Sequence, residues 1–401
     1  MILKTPQCSV TFLLTSTMAT ANAKLYDPRQ VLDHPEFKIL GPNDKPTKGA
    51  NIAVFYNHHH ELHMVEKPRP KPGPGQVLLH VRASGICGSD IHYWRHGRIG
   101  NMVLHDECGS GHESAGEVIE LGEGVTELKV GDRVTIEAEI PCFQPSCEPC
   151  RTGKYNGCPN VVFLSAPPYH GTLTKWHVHP AAWLHRIPDN MTFEEGALCE
   201  PLTVALAGVE GSGLRLGDPT LICGAGPIGL ATLLSARAAG AEPIVITDLF
   251  QNRLDFAKKL VPTVRTVLIE RELSLEDQAA KIKAAAGTAF RVGLECTGVE
   301  SSIATAAYTI KFGGTLMVIG VGKSPQTYPF MQLSLNEINL KFINRYVDQY
   351  PKAIRLISGG LIDMKPLVTH RFALEDAMDA FNVAADLTQG AIKVQIQDME
   401  D

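Results

Sequence analysis

Three residues of the chain combine the ligand types of a zinc site. Cys87 lies in the stretch "GICGSDIHYW", and His112 and Glu113 stand side by side in "GHESAG". A thiolate, an imidazole and a carboxylate are common zinc ligands, and a catalytic zinc has three protein ligands and one open position. Glu200, in "LCEPLT", is a further acid that could bind the metal directly or through its water. The alternative is that Cys87 is a core thiol and "GHE" is a polar turn.

Four further cysteines crowd into the stretch "PCFQPSCEPCRTGKYNGC". They are Cys142, Cys147, Cys150 and Cys158. Four thiolates this close in sequence can close a tetrahedral site around Zn²⁺, and a closed site has no open position, so this zinc would be structural. The alternative is a loop of reduced thiols that holds no metal.

A glycine-rich turn predicts a dinucleotide site. Gly224, Gly226 and Gly229 form G-x-G-x-x-G directly after an apolar strand and at the opening of a helix. The glycines permit a tight turn, a close approach of the backbone to a pyrophosphate, and close packing of the helix on the strand. The phosphates would then lie at the helix N-terminus. The alternative is a structural turn in another α/β fold.

An acid after the second strand indicates which dinucleotide binds. Asp248 lies nineteen residues after Gly229, where a carboxylate accepts hydrogen bonds from a ribose 2′-hydroxyl and repels a 2′-phosphate. NAD is therefore favoured over NADP, although Arg253 could pair with that phosphate or stack on adenine. The predicted cofactor-binding residues are Gly224, Gly226, Pro227, Ile228, Gly229, Asp248 and Arg253.

The elements around these residues predict two domains. After Asn51, short strand-like runs alternate with Pro and Gly, which favours an all-β, barrel-like region. Further on, apolar strands alternate with amphipathic helices, as in a doubly wound domain. The predicted boundaries are 1–47 for a disordered N-terminal extension, 48–201 for the β-rich domain, 202–344 for the doubly wound domain and 345–401 for a C-terminal part that rejoins the first. Met18 could be the true start.

Length and composition exclude several classes of function. The chain has 401 residues, of which 44% are hydrophobic and 20% are charged, as in a globular protein of more than one domain. Its net charge of −6 gives no broad attraction to nucleic acid or to an anionic membrane. No apolar run reaches the 18 or so residues of a membrane span. Ten cysteines are too few for a disulfide scaffold of this size. We expect a cytoplasmic protein without a nucleic-acid or membrane partner.

From Asn51 to Asp398 the chain resembles the zinc-dependent medium-chain dehydrogenases, and within them the polyol branch of sorbitol, xylitol and fungal L-arabinitol dehydrogenases. The matching stretches are "GICGSDIHYW", "GRIGN", "GHESAGEV", "VGDRV", "EEGALCEPL", "ICGAGPIG", "LECTGVESSI" and "PLVTHRFALEDAMDAF". The resemblance implies an α/β protein with a GroES-like β-rich catalytic domain, interrupted in sequence by a doubly wound Rossmann domain. It also implies a homotetramer.

The resemblance assigns roles to single residues. Cys87, His112 and Glu113 match the ligands of a catalytic zinc, and Glu200 matches a fourth acid linked through water. The residues that match a proton relay or a polyol-binding wall are Ser89 and His92 for the relay, and Tyr93, Phe163, Arg345 and Tyr346 for the wall. Tyr93 and Phe163 could instead be plain core aromatics, and His92 a surface histidine. In the family, the first two of the four cysteines that bind the structural zinc are usually separated by two residues. Here four residues separate Cys142 from Cys147, which puts in doubt whether Cys142 reaches that zinc.

The implied chemistry is the oxidation of a sugar alcohol to a ketose with NAD⁺. Zinc would lower the pKa of the substrate hydroxyl, Ser89 and His92 would lead its proton toward solvent, and hydride would pass to the nicotinamide. L-Arabinitol is favoured, and hexitols are expected too because Tyr93 adds a phenol to the pocket wall. The alternatives are sorbitol, xylitol or galactitol as the main substrate, a zinc-free quinone reductase, and a non-catalytic binding protein.

Overall fold

The computed structural model describes residues 37–41 and 44–399 of the chain. Its strands are β1 Lys38–Ile39, β2 Asn51–Tyr56, β3 Leu62–Lys67, β4 Gln76–Gly85, β5 Arg98–Ile99, β6 Met102–Val103, β7 Cys108–Gly109, β8 Glu113–Leu121, β9 Arg133–Ile136, β10 Glu139–Ile140, β11 Val162–Phe163, β12 Trp176–Pro180, β13 Leu184–Arg186, β14 Thr220–Cys223, β15 Ile244–Asp248, β16 Arg265–Leu268, β17 Phe290–Glu295, β18 Ile310–Val318, β19 Asn339–Phe342, β20 Val368–Ala373 and β21 Lys393–Gln397.

The helices lie mostly in the second half of the chain. They are α1 Gly88–His96, α2 Glu148–Arg151, α3 Phe193–Ala197, α4 Cys199–Ser212, α5 Pro227–Ala238, α6 Gln251–Leu260, α7 Leu275–Ala286, α8 Glu300–Ala307, α9 Phe330–Leu335, α10 Tyr350–Ser358 and α11 Ala377–Ala385. Short 3-10 helices cover Tyr155–Gly157, Ala181–Trp183, Lys365–Leu367, Leu374–Asp376 and Leu387–Gln389. None of the helices in these described ranges is long and apolar enough to cross a membrane.

The β-rich part is built around β4, whose ten residues are all buried. The sheet runs in the order β13-β9-β8-β4-β21-β20, and β12 also pairs with β4. The neighbour β21 comes from the end of the chain and lies antiparallel to β4, with Gln395 opposite Gly85. The C-terminal segment therefore pairs with β4, the strand that precedes α1.

The second part is a six-stranded parallel sheet in the order β16-β15-β14-β17-β18-β19. Strands such as "TLIC" are buried along their whole length because helices cover both faces of a parallel sheet. The helices α4, α5 and α6 pack on one face, and α7 and α8 pack on the other. This strand order is that of a doubly wound dinucleotide-binding fold, which confirms the predicted fold class.

Two of the predicted boundaries differ from the observed elements. β1 pairs with β3, with Lys38 opposite Glu66, and the neighbouring Leu40 is buried in the core, so the folded chain overlaps the extension predicted for residues 1–47. The rest of that prediction, Met18 included, lies outside the described residues. The second difference concerns the C-terminal part, which was predicted to rejoin the first domain from residue 345. Helix α10 still packs with α4 in the core of the nucleotide-binding part, and the chain re-enters the large sheet only at β20.

Strand β12 directs two neutral histidines into the interior. The His177 Nε2 and His179 Nδ1 atoms are 3.3 Å apart, and His179 Nε2 lies 3.1 Å from the carbonyl oxygen of Glu137. Burial lowers the pKa of His179 to about 3. Burial, helped by His179 and the Lys67 cation, also lowers the pKa of His177 well below its usual range. Both rings are therefore uncharged at neutral pH.

We expect this histidine pair to destabilise the fold in mild acid. An unfolded histidine titrates near pH ~6.5, and both folded pKa values lie below that, so the unfolded state binds more protons and stability falls as pH drops below that value toward 3. One pH unit costs about 1.4 kcal/mol for one such histidine. The measurement is the free energy of unfolding between pH 7.5 and 5.5.

The matched comparison is His177→Leu against His58→Asn, because His58 lies exposed in the turn between β2 and β3. His177→Leu should flatten the pH dependence, and His58→Asn should leave it unchanged. Equal slopes in the wild type and both variants would show that carboxylates alone carry the acid sensitivity.

Candidate functional site

The pairing of β4 with β8 brings the first three candidate ligands together. Cys87 is the N-cap of α1, immediately after β4, and Glu113 opens β8 opposite Gly85. Ligand atoms of Cys87, His112 and Glu113 all lie within 4.8 Å of one another. Glycine at 85 leaves room for this carboxylate, because a Cβ atom there would lie 2.1 Å from Glu113 Oε2 and would displace it. These three residues form the thiol–imidazole–carboxylate group that the spacing predicted.

Two of the three residues are shielded from solvent, and Cys87 is half-buried. His112 and Glu113 are buried, and burial, with the Glu113 carboxylate adding to it, raises the pKa of the Cys87 thiol to about 12. A divalent cation that binds there must displace the thiol proton. Glu200 lies in the first turn of α4. Burial, opposed by His112 and aided by Glu113 and Cys87, raises its pKa to about 8. The chemistry of these donors fits a zinc ion.

Two buried charges that sequence reasoning missed hold this group in place. Asp90 accepts hydrogen bonds from the backbone N–H of Cys87 at 3.0 Å and of Gly111 at 3.3 Å, so one carboxylate ties together the two loops that carry the thiol and the imidazole. Lys393, on β21, donates to both Glu113 oxygens, at 2.6 and 2.7 Å. Lys393 opens the strand "KVQIQ", in which polar and apolar residues alternate, so nothing in the sequence indicated this pairing.

The predicted wall of the polyol site forms a row of side chains that leads away from Cys87, His112 and Glu113, here called the metal group. The ring of Phe163 lies 5.3 Å from the ring of His112. The guanidinium of Arg345 stacks on the Phe163 ring, with its Cζ atom 3.8 Å from the ring centroid. Arg345 Nη1 also donates to Glu139 Oε1 at 2.6 Å, a buried partner that the sequence did not reveal. The structure thus brings His112, Phe163 and Arg345 into one continuous surface.

The two tyrosines predicted for the wall are deeply placed. Tyr346 is 1% exposed, its ring packs edge-on against Tyr350, and its hydroxyl has no hydrogen-bond partner among the described residues. Tyr93 is 2% exposed, its hydroxyl lies 3.7 Å from the sulfur of Met102, and its ring stacks with Tyr56. Tyr93 shares a hydrophobic cluster with Phe163, which makes it part of the wall's support.

The two predicted relay residues are one helical turn apart on α1. Ser89 is half-buried, and its hydroxyl hydrogen-bonds to the Cys87 sulfur. His92 is exposed, and its ring lies against that of His96 at 4.6 Å. Partial burial and the neighbouring His96 lower the pKa of His92, so its imidazole is free to accept a proton. This arrangement runs from the metal group toward solvent.

The four remaining cysteines converge into a second group, here called the cysteine lobe (residues 142–158). Their sulfurs all lie within 4.8 Å of one another, with Cys142 3.9 Å from Cys150 and Cys147 3.8 Å from Cys158. The longer spacing after Cys142 is absorbed by the loop before α2, so Cys142 reaches the others. Four thiols that converge in this way fit a closed tetrahedral zinc site.

The glycine-rich turn lies between β14 and α5, as predicted. Gly229 has no room for a side chain, since a Cβ atom there would lie 1.8 Å from the carbonyl oxygen of Gly224. Asp248 ends β15 and accepts hydrogen bonds from the N–H groups of Ala225 at 2.7 Å and Phe250 at 2.9 Å. Arg253 Nη1 lies 3.9 Å from Asp248. Pro227 and Ile228 open α5, so the whole predicted set meets at one helix N-terminus.

Family comparisons agree with this division of the chain. Residues 73–189 match the alcohol dehydrogenase GroES-like domain, and residues 227–359 match the zinc-binding dehydrogenase model. An L-arabinitol 4-dehydrogenase of Aspergillus oryzae is 54% identical, over 88% of this chain and 96% of its own length. An L-arabinitol 4-dehydrogenase of Hypocrea jecorina is 49% identical, over 93% of this chain and 100% of its own length. A sorbitol dehydrogenase of Gallus gallus is 42% identical, over 83% of this chain and 93% of its own length.

Solved structures give the same picture. An Escherichia coli oxidoreductase of unknown specificity superposes with a TM-score of 0.80 at 32% identity, and covers 87% of this chain and 99% of its own. A 2R,3R-butanediol dehydrogenase from Bacillus subtilis superposes with a TM-score of 0.77 at 27% identity, and covers 87% of this chain and 100% of its own. These likenesses extend over both parts of the molecule.

The two ligand groups predict two zinc ions per chain with separable losses. Cys87→Ala should remove one zinc and abolish dehydrogenase activity, whereas Cys150→Ala should remove the other and lower the thermal midpoint. The measurements are metal analysis by mass spectrometry and thermal unfolding.

The control is Cys296→Ala, a half-buried thiol outside both groups, which should keep both ions. One zinc in the wild type, removed only through Cys87, would contradict a metal in the cysteine lobe.

Proposed function

The chain belongs to the zinc-dependent medium-chain dehydrogenases, and we propose that it oxidises a secondary hydroxyl of a sugar alcohol to a ketose with NAD⁺. L-Arabinitol is the favoured substrate, since relatives at 49 to 54% identity are named for it. Hexitols such as sorbitol or galactitol are further substrates, in keeping with the sorbitol dehydrogenase relatives. The single observation that carries the proposal is the row from His112 through Phe163 to Arg345.

This row suits a substrate with several hydroxyls. Cys87, His112 and Glu113, with Glu200 beside them, would hold the catalytic zinc, which when bound supplies a Lewis acid that lowers the pKa of a hydroxyl. The guanidinium of Arg345 has further N–H donors besides the one that Glu139 engages, and these can bind hydroxyls farther along the carbon chain. Phe163 and the deeply placed Tyr346 pack in one hydrophobic cluster beside this row.

Proton and hydride leave in different directions. The Ser89 hydroxyl beside Cys87 can pass the substrate proton to the neutral imidazole of His92, which delivers it to solvent. The glycine turn and Asp248 would bind the pyrophosphate and ribose of the coenzyme, which when bound would supply the hydride acceptor. Both routes use residues whose positions are set by backbone elements, α1 for the proton and β14 to α5 for the coenzyme.

The substrate proposal is tested by NADH formation across a panel of alcohols. L-Arabinitol, xylitol, sorbitol and galactitol should be oxidised, and ethanol should be a very poor substrate, because it leaves the donors of Arg345 without partners. Identifying the product by chromatography as a ketose completes the test. An enzyme that oxidises ethanol and ignores every polyol would overturn the proposal.

We expect a strong preference for NAD⁺ over NADP⁺, because Asp248 would face the extra phosphate. Asp248→Ser combined with Leu249→Arg should relax this preference by more than tenfold in kcat/KM, since it removes a repulsive charge and adds a phosphate partner. Leu249 is 44% exposed, so an arginine there has room. Leu249→Arg alone is the matched control and should change little. Equal wild-type rates with both coenzymes would refute the ribose role of Asp248.

We further propose a homotetramer that works in the cytoplasm. No strand of the described residues pairs with the outer edge of β19, and large apolar side chains are exposed on and beside this strand, at Phe330, Met331, Leu335 and Phe342. Such an edge and patch suit a second copy of the chain. Thiolate ligands favour a reducing compartment. Light scattering of the native enzyme and cell fractionation measure the two properties.

A further inference from the structure

The segment that carries Arg345 is held in a costly backbone conformation. Asn344–Asp348 connects β19 to α10, and within it Arg345 has a φ of 56° and Asp348 a φ of 50°. Non-glycine residues in this left-handed region cost about 1 to 3 kcal/mol each and persist only where surrounding contacts fix them. The contacts that fix this segment therefore determine where the Arg345 side chain can lie.

The backbone of the segment is fixed by the cysteine lobe. The Asn156 side chain donates to the Asn344 carbonyl oxygen at 2.7 Å, and Asn344 Nδ2 donates back to the Asn156 carbonyl oxygen at 3.4 Å. At the other end, the N–H of Asp348 donates to the Tyr155 hydroxyl at 2.8 Å. Tyr155 and Asn156 belong to the 3-10 turn between Cys150 and Cys158, so the lobe holds both ends of the segment.

Tyr155 is itself anchored. Its hydroxyl donates to Glu137 Oε1 at 2.6 Å, and the other oxygen of Glu137 lies 2.7 Å from His185 Nε2. Because the phenol donates to Glu137 and accepts from Asp348, both hydrogen-bonding functions of one hydroxyl are used. Loss of that hydroxyl would release the end of the segment without removing a charge.

The side chain of Arg345 is fixed by strands β10 and β11. The guanidinium lies between the Phe163 ring and the carboxylate of Glu139, which is fully buried. Glu139 Oε2 has no hydrogen-bond partner among the described residues, so Arg345 is the ion that compensates this buried carboxylate. Burial raises the pKa of Glu139 to about 7, and Arg345 opposes that rise. The pair therefore orients Arg345 strongly, since each partner would be costly to leave alone.

We infer that the cysteine lobe and strand β10 preset Arg345 for the far hydroxyls of the substrate, with Tyr155, Asn156 and Glu139 as positioning residues. This inference rests on the proposed polyol activity. It assigns the lobe a part in substrate affinity as well as in stability: the lobe sets where the segment lies, and Glu139 sets where the guanidinium points.

The test compares KM and kcat in Tyr155→Phe and Glu139→Gln with two substrates. Each variant should raise the KM for L-arabinitol about fivefold or more, with kcat within about twofold, because the reacting hydroxyl stays near the metal group while a distal hydrogen bond is weakened. The KM for 2,3-butanediol, which has no hydroxyls beyond its vicinal pair, should not change. Calorimetry should show the same loss in L-arabinitol affinity, and metal analysis should show two zinc ions.

A double-mutant cycle with Arg345→Ala separates positioning from general loosening. Arg345→Ala should itself raise the KM for L-arabinitol about tenfold, and adding Tyr155→Phe should raise it no further. The matched control is Tyr308→Phe, which removes a tyrosine hydroxyl that hydrogen-bonds to Glu276 on the nucleotide-binding part and should leave both KM values unchanged. Because Tyr155→Phe is nearly isosteric, it decides the question even if Glu139→Gln does not fold.

The outcomes separate this inference from the proposed function. A wild type that oxidises no polyol would overturn the proposed function. A wild type that oxidises polyols but whose KM is unchanged in Arg345→Ala would overturn the substrate role of Arg345, and with it this inference. A KM raised by Arg345→Ala but unaffected by Tyr155→Phe, or raised additively in the double variant, would overturn the positioning role alone.

Discussion

The antiparallel pairing of β4 with β8 is the constraint on which the site depends. It sets Gly85 against Glu113, and the missing side chain at 85 leaves the space that the Glu113 carboxylate occupies. The same register places Cys87, two residues after Gly85, beside His112. A shift of one residue would turn alternate side chains to the other face of the sheet and separate the three ligands. Sheet register thus does here what a dedicated binding loop does in other metal sites.

That pairing concentrates acidic groups in a buried region, and the rest of the fold supplies the compensation. Glu113 and Glu200 both lie beside the Cys87 thiol, away from water. Lys393, near the end of the chain, compensates these acidic groups. Burial lowers the pKa of Lys393, but the neighbouring acidic groups together raise it more, so the ammonium keeps its charge. The C-terminal strand must therefore return to β4, because without it Glu113 would be a buried, unpaired carboxylate.

The sequence was sufficient for the elements whose chemistry is local. The glycine turn, its acid and the four-cysteine group are predictable because each depends on residue types at short spacing, and the doubly wound part follows from alternating apolar strands and helices. The group of Cys87, His112 and Glu113 was assigned through the resemblance to the polyol dehydrogenases, because its residue types alone left a core thiol and a polar turn as an alternative. Contacts between distant segments were not predictable. Lys393 contacts Glu113, 280 residues away in sequence, and Arg345 contacts Glu139, 206 residues away. Nothing in the sequence around either residue indicates which residue it pairs with. The short strand β1 was missed because two residues give no periodic pattern.

These long-range contacts also connect the cysteine lobe with the row of side chains that begins at the metal group. The metal group lies at the β4–β8 end of the row, and Arg345 lies at the other end, on a segment that leaves the nucleotide-binding sheet. A segment in that position would follow the movements of the nucleotide-binding part unless something tied it to the β-rich part. The lobe provides this tie through Tyr155 and Asn156, and β10 provides it through Glu139. Both ends of the row are therefore held by the β-rich part of the chain: the Cys87 end by the pairing of β4 with β8, and the Arg345 end by the lobe and by the separate two-stranded sheet of β10 and β11.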